Sequence, residues 1–366
     1  MMATKQDLEH LRRSLELAEA GRGLVSPNPL VGCVITSPAG EVVGEGAYIY
    51  EDISHAEVIA LRQAGEKARG GTAYVSLEPH SHHGRTPPCT DALINAGIVR
   101  VVCPIEDPNP LVSGKGFLQL RQAGIEVETG LLEDEALRQN EAFITWHQKG
   151  RPFVHLKLAM SLDGRISLGK SVSTTLSSKS ALERVQEIRH GSDAIIVGAS
   201  TAVTDDPSLT DRSGRPRRRP LVRVILDGRL RLPVTGKLAD TAGETPVLVY
   251  TASRETEKIA RLSDKGIDVI RIDPHDVAAV MADLYSRQLQ NILVEGGTEV
   301  AGAFVDAGSV DRVTFLMAPI IIGGPSAPAA VGGRGTPSLE SALRLDGLEV
   351  IQRGIDLELT GRVRSR

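Results

Sequence analysis

The chain has 366 residues, of which 41% are hydrophobic and 24% are charged, and its net charge is −4. This length favours two domains, because single cores rarely grow beyond about 250–300 residues. The negative charge and the 3% aromatic content argue against a nucleic-acid partner, including an RNA-binding module. Three cysteines indicate a reducing compartment rather than a disulfide scaffold, and we therefore expect a cytoplasmic protein.

The N-terminal segment predicts an amphipathic helix and not a signal peptide. Leu8, Leu11, Leu15 and Ala18 recur at the spacing that places them on one helical face. No apolar run in the chain approaches the ~20 residues that a membrane-spanning helix needs. We therefore expect no membrane partner.

Short apolar runs in the first half, at 31–35, 73–77 and 99–103, are each followed by a helical pattern. This alternation is typical of an α/β layer fold. Residues after Leu131 read as charged helix, and a new strand begins at GRPFV. We therefore predict one domain over residues 1–147 and another over 151–366.

The second half repeats the α/β alternation. Seven further runs predict strands: VHLKLAM, AIIVG, VRVIL, PVLVY, IDVIRI, NILVEGG and VTFLMAPIII. Neither half contains GxGxxG, so a standard Rossmann dinucleotide site is unsupported. The basic cluster at 214–220 is interpreted as a solvated loop, with a place near a phosphate as the alternative.

A metal-site pattern lies in the first half. His55 and Glu57 form an HxE motif, and His80 follows Glu78 and Pro79 ahead of a Pro-Pro-Cys89 sequence. Zinc deaminases combine HxE with PCxxC, using three protein ligands and a glutamate that moves protons without ligating. Zinc lowers the pKa of a bound water molecule towards ~7. A nearby carboxylate must then accept the proton of this water and deliver it to the departing amine.

His80 departs from this pattern, since the signature has cysteine there. Imidazole is an accepted zinc ligand, so a site of two histidines and one cysteine is chemically reasonable. Three alternatives stay open: unrelated residues, a bound metal with poor catalysis, or ligation by His82 or His83.

Seven motifs cover both halves in order: SPNPLVGCVI, HAEVIAL, LEPHSHHGRTPPCTDALI, DPNPLVSGKG, KLAMSLDGRI, DAIIVGASTAVTDDPSLTDR and VEGGTEVAGAF. With these motifs the sequence resembles the bifunctional riboflavin-biosynthesis deaminase-reductases of the RibD type. The resemblance implies a cytidine-deaminase-like N-terminal domain and a dihydrofolate-reductase-like C-terminal domain. It also implies zinc and NADPH as cofactors.

The family's substrate is a small phosphorylated pyrimidine. The first domain is implied to hydrolyse the 2-amino group of a diaminopyrimidinone ribosylamino 5'-phosphate, and the second to reduce the ribosyl group to ribityl with NADPH. A reductase with a degenerate, metal-binding deaminase domain is the alternative. We also expect the chain to form a homo-oligomer.

In the first domain the resemblance assigns the zinc ligands to His55, His80 and Cys89 and the proton shuttle to Glu57. It places Asn28 against the pyrimidine and Arg85 at the phosphate; a turn asparagine and a solvated arginine are the alternatives. Tyr48 stands where the family usually has a pocket histidine, and EDIS replaces a glycine-containing segment before HAE.

In the second domain Lys157 is a candidate on residue grounds, because a lysine inside an apolar strand is costly unless it serves a charge. Asp163 follows the same strand. The resemblance implies substrate contacts from Lys157, Ser173, Arg189, Leu209, Arg212 and Glu295. It implies cofactor contacts from Ala159, Thr175, Thr201, Asp205, Gly296 and Gly297.

For four of these residues the sequence gives a departure from the family, an alternative role or a weaker signal. Thr175 stands where the family usually has tryptophan. Asp205 lies just before Asp206-Pro207 and has a turn or helix cap as its alternative role. Glycines such as Gly296 and Gly297 let backbone amides approach an anion, although two glycines after a strand are a weak signal alone.

Overall fold

The structure, a computed structural model, describes residues 4–52, 54–84 and 86–364. The chain divides into two compact units between Gly150 and Arg151. Each unit has its own sheet, of five and nine strands. No helix within the described ranges is both long enough and apolar enough to cross a membrane.

The first unit is a five-stranded sheet with helices packed on it. Its strands are β1 (Gly32–Thr36), β2 (Val42–Ala47), β3 (Thr72–Val75), β4 (Arg100–Cys103) and β5 (Glu126–Thr129). Its helices are α1 (Lys5–Glu19), α2 (Ala56–Ala64), α3 (Cys89–Asn95), α4 (Lys115–Gln122), α5 (Glu133–Gln139) and α6 (Glu141–Lys149), with a 3-10 turn at Gly65–Ala68. The sheet order is β2-β1-β3-β4-β5.

The three apolar runs are confirmed as β1, β3 and β4, but the helix expected directly after β1 is wrong. The chain instead turns back into β2, which pairs antiparallel with β1. The glycines of β2 explain the difference, because α2 packs directly on them. A Cβ at Gly44 or Gly46 would lie 2.1 Å from the carbonyl oxygens of Ala60 and Ala56, respectively. The strand thus lacks side chains where the helix needs room.

The N-terminal helix is confirmed as α1, with Leu11, Leu15 and Ala18 buried. Asp7 in its first turn forms a capping box with Thr4. The same carboxylate is buried and accepts hydrogen bonds from Arg100 on β4 (2.7 Å) and from the Tyr74 hydroxyl on β3 (2.9 Å). These bonds attach α1 to the sheet.

The second unit is built on a mainly parallel sheet. Its strands are β6 (Phe153–Ser161), β7 (Ala194–Gly198), β8 (Val222–Leu226), β9 (Val247–Tyr250), β10 (Ile267–Ile270), β11 (Asn291–Val294), β12 (Arg312–Ala318), β13 (Leu345–Arg353) and β14 (Asp356–Val363). Its helices are α7 (Lys179–His190), α8 (Ala199–Asp205), α9 (Lys237–Asp240), α10 (Thr256–Ser263), α11 (Val277–Ser286) and α12 (Thr298–Asp306).

The strand order in this sheet is β10-β9-β8-β7-β11-β6-β12-β14-β13. The seven predicted strands are confirmed as β6 to β12, and they pair in parallel. The last two strands follow at this edge: β14 pairs antiparallel with β12, and β13 pairs antiparallel with β14. In such sheets, residues at the carboxyl ends of parallel strands share one edge, where ligands commonly bind.

Candidate active sites

Two histidines and one cysteine converge in the first unit. His55 is the residue before α2, His80 follows β3, and Cys89 begins α3. One ligand atom from each lies within 4.8 Å of the others. The rings of His55 and His80 have centroids 4.4 Å apart. The fold therefore brings together the three side chains that the motif predicts as metal ligands.

Glu57 lies in the first turn of α2, two residues after His55, and is 2% exposed. Its Oε2 atom is buried and has no hydrogen-bond partner within the described ranges. A buried carboxylate oxygen is costly to leave unpaired, so this atom points to a ligand that the protein is built to receive. Burial raises the pKa of the nearby Cys89 thiol, and the negative charge of Glu57 raises this pKa further.

The donor set fits zinc. Two imidazoles and one thiolate are typical zinc ligands, and three protein ligands leave a position open for catalysis. The cluster of three does not include His82 or His83, although the rings of His80 and His82 are 5.5 Å apart. The geometry thus favours His80 over its two neighbours as the third ligand.

Asn28 is connected to this cluster by Tyr48, which contacts both Asn28 and His55. The Asn28 side-chain amide donates a hydrogen bond to the Tyr48 hydroxyl over 2.6 Å. Tyr48 is buried, and its ring centroid is 5.1 Å from that of His55. The contact was not predicted, because it joins residues twenty positions apart. Arg85, expected at a substrate phosphate, lies outside the described residues.

In the second unit Lys157, Arg189 and Glu295 meet at the sheet. Lys157 is buried on β6, and Glu295 directly follows β11, which pairs with β6. Arg189, at the end of α7, binds both carboxylate oxygens of Glu295, at 2.9 and 2.8 Å. The side chains of Arg189 and Glu295 are only 11% and 10% exposed, so this is a largely buried ion pair.

The charges in this group shift one another's protonation. Burial lowers the pKa of Lys157, and the Glu295 carboxylate opposes that shift. Burial raises the pKa of Glu295, but the positive charges of Lys157 and Arg189 outweigh it and bring the pKa below its usual value. The surroundings of Glu295 therefore favour the ionised form of its carboxylate.

Four of the expected cofactor residues lie on two neighbouring segments. Gly296 and Gly297 lead from β11 into α12, and Gly296 accepts a backbone hydrogen bond from Gly198, which precedes α8. A Cβ at Gly297 would lie 3.6 Å from the Thr201 hydroxyl on α8. Asp205 is exposed at the end of the same helix. Thr201 therefore faces the glycine pair, and Asp205 lies one helical turn further along.

The other predicted residues occupy varied positions. Ala159 is partly buried on β6, whereas Ser173, Thr175 and Arg212 are exposed in loops. Leu209 has its side chain buried in the core cluster beside β7 and β8, with a left-handed backbone at φ 50°. Any contact that Leu209 makes with a substrate must therefore come from its backbone.

Two residues have structural roles that the sequence did not reveal. Arg217, interpreted as part of a solvated loop, donates to the carbonyls of His190 (2.7 Å) and Ser192 (2.6 Å), which corrects that interpretation for this arginine. Asp163 accepts backbone hydrogen bonds from Ile322 (3.0 Å) and Gly323 (2.7 Å). It thereby fixes the loop after β12 against the end of β6.

Comparisons with known proteins agree with this two-unit organisation. Residues 4–105 match the model for the cytidine and deoxycytidylate deaminase zinc-binding region. Residues 152–357 match the model for the RibD C-terminal domain. The riboflavin biosynthesis protein RibD of Actinobacillus pleuropneumoniae is 40% identical over 97% of this chain and 95% of its own length.

Two solved structures resemble the whole chain. RibD of Acinetobacter baumannii has 38% identity and a TM-score of 0.86, and 99% of each chain is covered. A Thermotoga maritima protein, described as a diaminohydroxyphosphoribosylaminopyrimidine deaminase and 5-amino-6-(5-phosphoribosylamino)uracil reductase, has 34% identity and a TM-score of 0.86, covering 98% of this chain and 99% of that one. The chain belongs to the RibD family, with a cytidine-deaminase-like first domain and a RibD reductase second domain.

Proposed function

We propose that the chain is a bifunctional enzyme of riboflavin biosynthesis. Its first domain hydrolyses the 2-amino group of a diaminopyrimidinone ribosylamino 5'-phosphate, and its second domain reduces the ribosyl group of the product to ribityl. The observation that carries the proposal is the convergence of His55, His80 and Cys89 beside the unpaired Glu57 oxygen. It supports an active deaminase over a reductase that keeps only a degenerate metal-binding domain.

In the first domain His55, His80 and Cys89 would hold zinc. When bound, zinc acts as a Lewis acid that makes hydroxide accessible near neutral pH. Glu57 takes a proton from the attacking water and delivers a proton to the departing amino group, so that water is consumed and ammonia is released. The burial of Glu57 in the first turn of α2, and the influence of its charge on Cys89, support this role.

Asn28 and Tyr48 act on the substrate rather than on the metal. Because the Asn28 amide is hydrogen-bonded to the Tyr48 hydroxyl, its orientation is set before the pyrimidine arrives. A pre-oriented amide can pair with the polar edge of the heterocycle without first losing rotational freedom. Arg85 is proposed to bind the phosphate, a role that guanidinium performs through paired hydrogen bonds.

In the second domain NADPH supplies the hydride, and the protein supplies binding and orientation. Lys157, Glu295 and Arg189 are proposed to face the ribosyl phosphate, together with Arg212, Ser173 and the Leu209 backbone. The cofactor side comprises Ala159, Thr175, Thr201, Asp205, Gly296 and Gly297. Glycine at 296, where φ is +88°, and at 297 leaves room for an anionic group to approach the backbone.

A cytoplasmic location and a homo-oligomeric assembly are part of the same proposal. The sequence supports the first through its few cysteines, and all three are free and buried in the structure. Fluorescent tagging and light scattering would test these two statements separately.

The experiment is a metal analysis of the purified chain combined with separate assays of the two half-reactions. We expect one zinc per chain, ammonia release from the diaminopyrimidinone substrate, and NADPH oxidation with the deaminated substrate. Zinc without ammonia release would instead favour the reductase with a degenerate deaminase domain. Absence of both activities would reject the proposal.

A further inference from the structure

The Glu78 carboxylate accepts four hydrogen bonds from backbone amides. Glu78 is not a predicted metal ligand, so the metal motif does not explain these bonds. Its side chain is buried, at 4% exposure, just before the predicted ligand His80. One carboxylate oxygen accepts from the amides of Asp107 (3.0 Å) and Gly114 (2.9 Å). The other accepts from those of Gly116 (2.8 Å) and Phe117 (3.2 Å). Four amide donors therefore converge on a single carboxylate.

These bonds hold the loop after β4 and the first turn of α4 against the segment that carries His80. The contact is close, since a Cβ at Gly116 would lie 2.0 Å from the Pro79 carbonyl oxygen. Pro79 is the residue directly before His80. The start of α4 is thus fixed on the backbone that sets the position of the His80 side chain.

The same helix also holds the segment that carries Cys89. Gln119 on α4 accepts a hydrogen bond from the Thr90 hydroxyl (2.9 Å) and donates one to the Asp91 carboxylate (2.7 Å). Thr90 and Asp91 directly follow Cys89 in the first turn of α3. In addition, the Thr90 amide donates to the His80 carbonyl at 3.3 Å. The backbones that carry two of the three ligands are thereby joined to each other and to α4.

We infer that Glu78 is a positioning residue for the metal site, acting through α4 on the spacing between His80 and Cys89, with Gln119 as the second link. The inference rests on the proposed zinc site. A metal site needs its donor atoms placed before the ion arrives, and groups beyond the ligands commonly change metal affinity by about 10- to 100-fold.

The four donors determine which substitutions Glu78 tolerates. Glutamine has the same shape, but its amide nitrogen would face two backbone N–H groups and leave them without an acceptor. Aspartate keeps the charge but is one methylene shorter and cannot reach the same four amides. Neither conservative change should therefore restore the native site, which distinguishes Glu78 from a residue that needs only its charge or only its size.

The test uses the full-length chain and compares Glu78→Gln with Glu106→Gln, which alters an exposed carboxylate at the start of the same loop. Zinc affinity is measured by competition with a chelator, and metal geometry is read from the visible absorption spectrum of the Co²⁺-loaded protein. We expect Glu78→Gln to bind zinc at least about 10-fold more weakly and to change the cobalt spectrum. Glu106→Gln should match the native protein in both measurements.

Gln119→Ala provides the second arm, which decides the matter if Glu78→Gln does not fold. It removes the link to α3 and leaves Glu78 and its four amides in place, so weaker zinc binding and a changed cobalt spectrum are expected again. Native affinity and a native spectrum in every folded variant would overturn the inference. If the native chain itself binds no zinc, the proposed metal site fails first, and this inference fails with it.

Discussion

Asn28 and Tyr48 are joined by a 2.6 Å hydrogen bond from the asparagine amide to the tyrosine hydroxyl. Tyr48 in turn packs near His55, with ring centroids 5.1 Å apart. A residue proposed to contact the pyrimidine is therefore connected through Tyr48 to His55, a predicted zinc ligand.

Removing the Tyr48 hydroxyl tests this connection. Tyr48→Phe deletes the acceptor of the Asn28 amide but keeps the ring beside His55. A single hydrogen bond contributes about 0.5–1.5 kcal/mol, so we expect KM for deamination to rise roughly 2- to 10-fold. Zinc content and NADPH-dependent reduction should stay native. A native KM in Tyr48→Phe would show that the bond does not orient Asn28 for substrate.

Glu57→Gln tests the proton shuttle. The variant keeps the side-chain volume but removes the base, and general acid–base groups contribute about 10²- to 10⁴-fold to rate. We expect ammonia release to fall by that factor while zinc remains bound, because Glu57 is not a proposed ligand. The exposed Glu66→Gln is the matched control. Loss of zinc from Glu57→Gln, or unchanged deamination, would reject this role.

The His80 variants test the third ligand. His80→Ala should lower zinc affinity by at least ~100-fold, the upper end of what groups beyond the ligands contribute. His80→Cys should keep zinc, because thiolate is an equally good donor. His83→Ala, which changes an exposed neighbour outside the cluster, should bind zinc like the native chain. Equal zinc stoichiometry and affinity in all three variants would show that His80 is not a zinc ligand.

Glu295→Gln and Asp205→Asn test the reductase site. The first removes the charge that holds Arg189 at 2.9 and 2.8 Å. Charge-assisted hydrogen bonds contribute about 1.5–3 kcal/mol, so kcat/KM for NADPH oxidation should fall roughly 10- to 100-fold in Glu295→Gln. Asp205→Asn should lower the same quantity by raising KM for NADPH. Ammonia release should not change.

Glu299→Gln, at an exposed position on α12, is the control for the reductase variants. Normal NADPH oxidation with the deaminated substrate in both Glu295→Gln and Asp205→Asn would show that the reductase site lies elsewhere.

Asp7 should make the first domain sensitive to acid. Hydrogen bonds from Arg100 hold the pKa of this carboxyl far below its usual value. A depressed folded-state pKa adds stability that is complete above the unfolded pKa of ~4 and is lost as the pH falls through the folded value. Asp7→Asn should therefore be less stable by about 2–3 kcal/mol at pH 7, and this difference should shrink below pH ~4.

The single tryptophan, Trp146 on α6, lies in the first unit, so its fluorescence during urea unfolding of the full chain reports on that unit. Asp134→Asn, at an exposed position, is the control. A destabilisation by Asp7→Asn that does not change between pH 7 and pH 3 would contradict the assignment.

The sequence could identify strands marked by a continuous apolar run and site residues marked by a short motif. Apolar runs predicted β6 to β12 because buried parallel strands are continuously hydrophobic. The HAE and EPH motifs brought out His55 and His80 because metal ligands need particular donor atoms. The strand β2 was missed because its glycines serve a packing contact with α2, which is visible only in three dimensions.

The sequence also could not predict roles that depend on contacts between residues far apart in the chain. Glu78 belongs to the same motif as His80, but its four amide partners lie 29 to 39 positions further along the chain. Arg217 looked like one member of a basic loop, yet it binds carbonyl oxygens at the end of α7. The exposed strand β13 carries charged residues and a glycine, so it lacked the apolar run that marks the other strands.

The proposed sequence of zinc-dependent deamination and NADPH-dependent reduction is tested most directly by measuring ammonia and NADPH together. The reaction starts from the diaminopyrimidinone substrate and is run with and without removal of zinc. The native chain should release one ammonia and oxidise one NADPH per substrate, with ammonia appearing first. After chelation both signals should disappear with this substrate, whereas the deaminated substrate should still oxidise NADPH at the native rate. Two results would contradict the proposal that zinc-dependent deamination precedes reduction. One is NADPH oxidation with the diaminopyrimidinone without release of ammonia, and the other is NADPH oxidation with this substrate after zinc is removed.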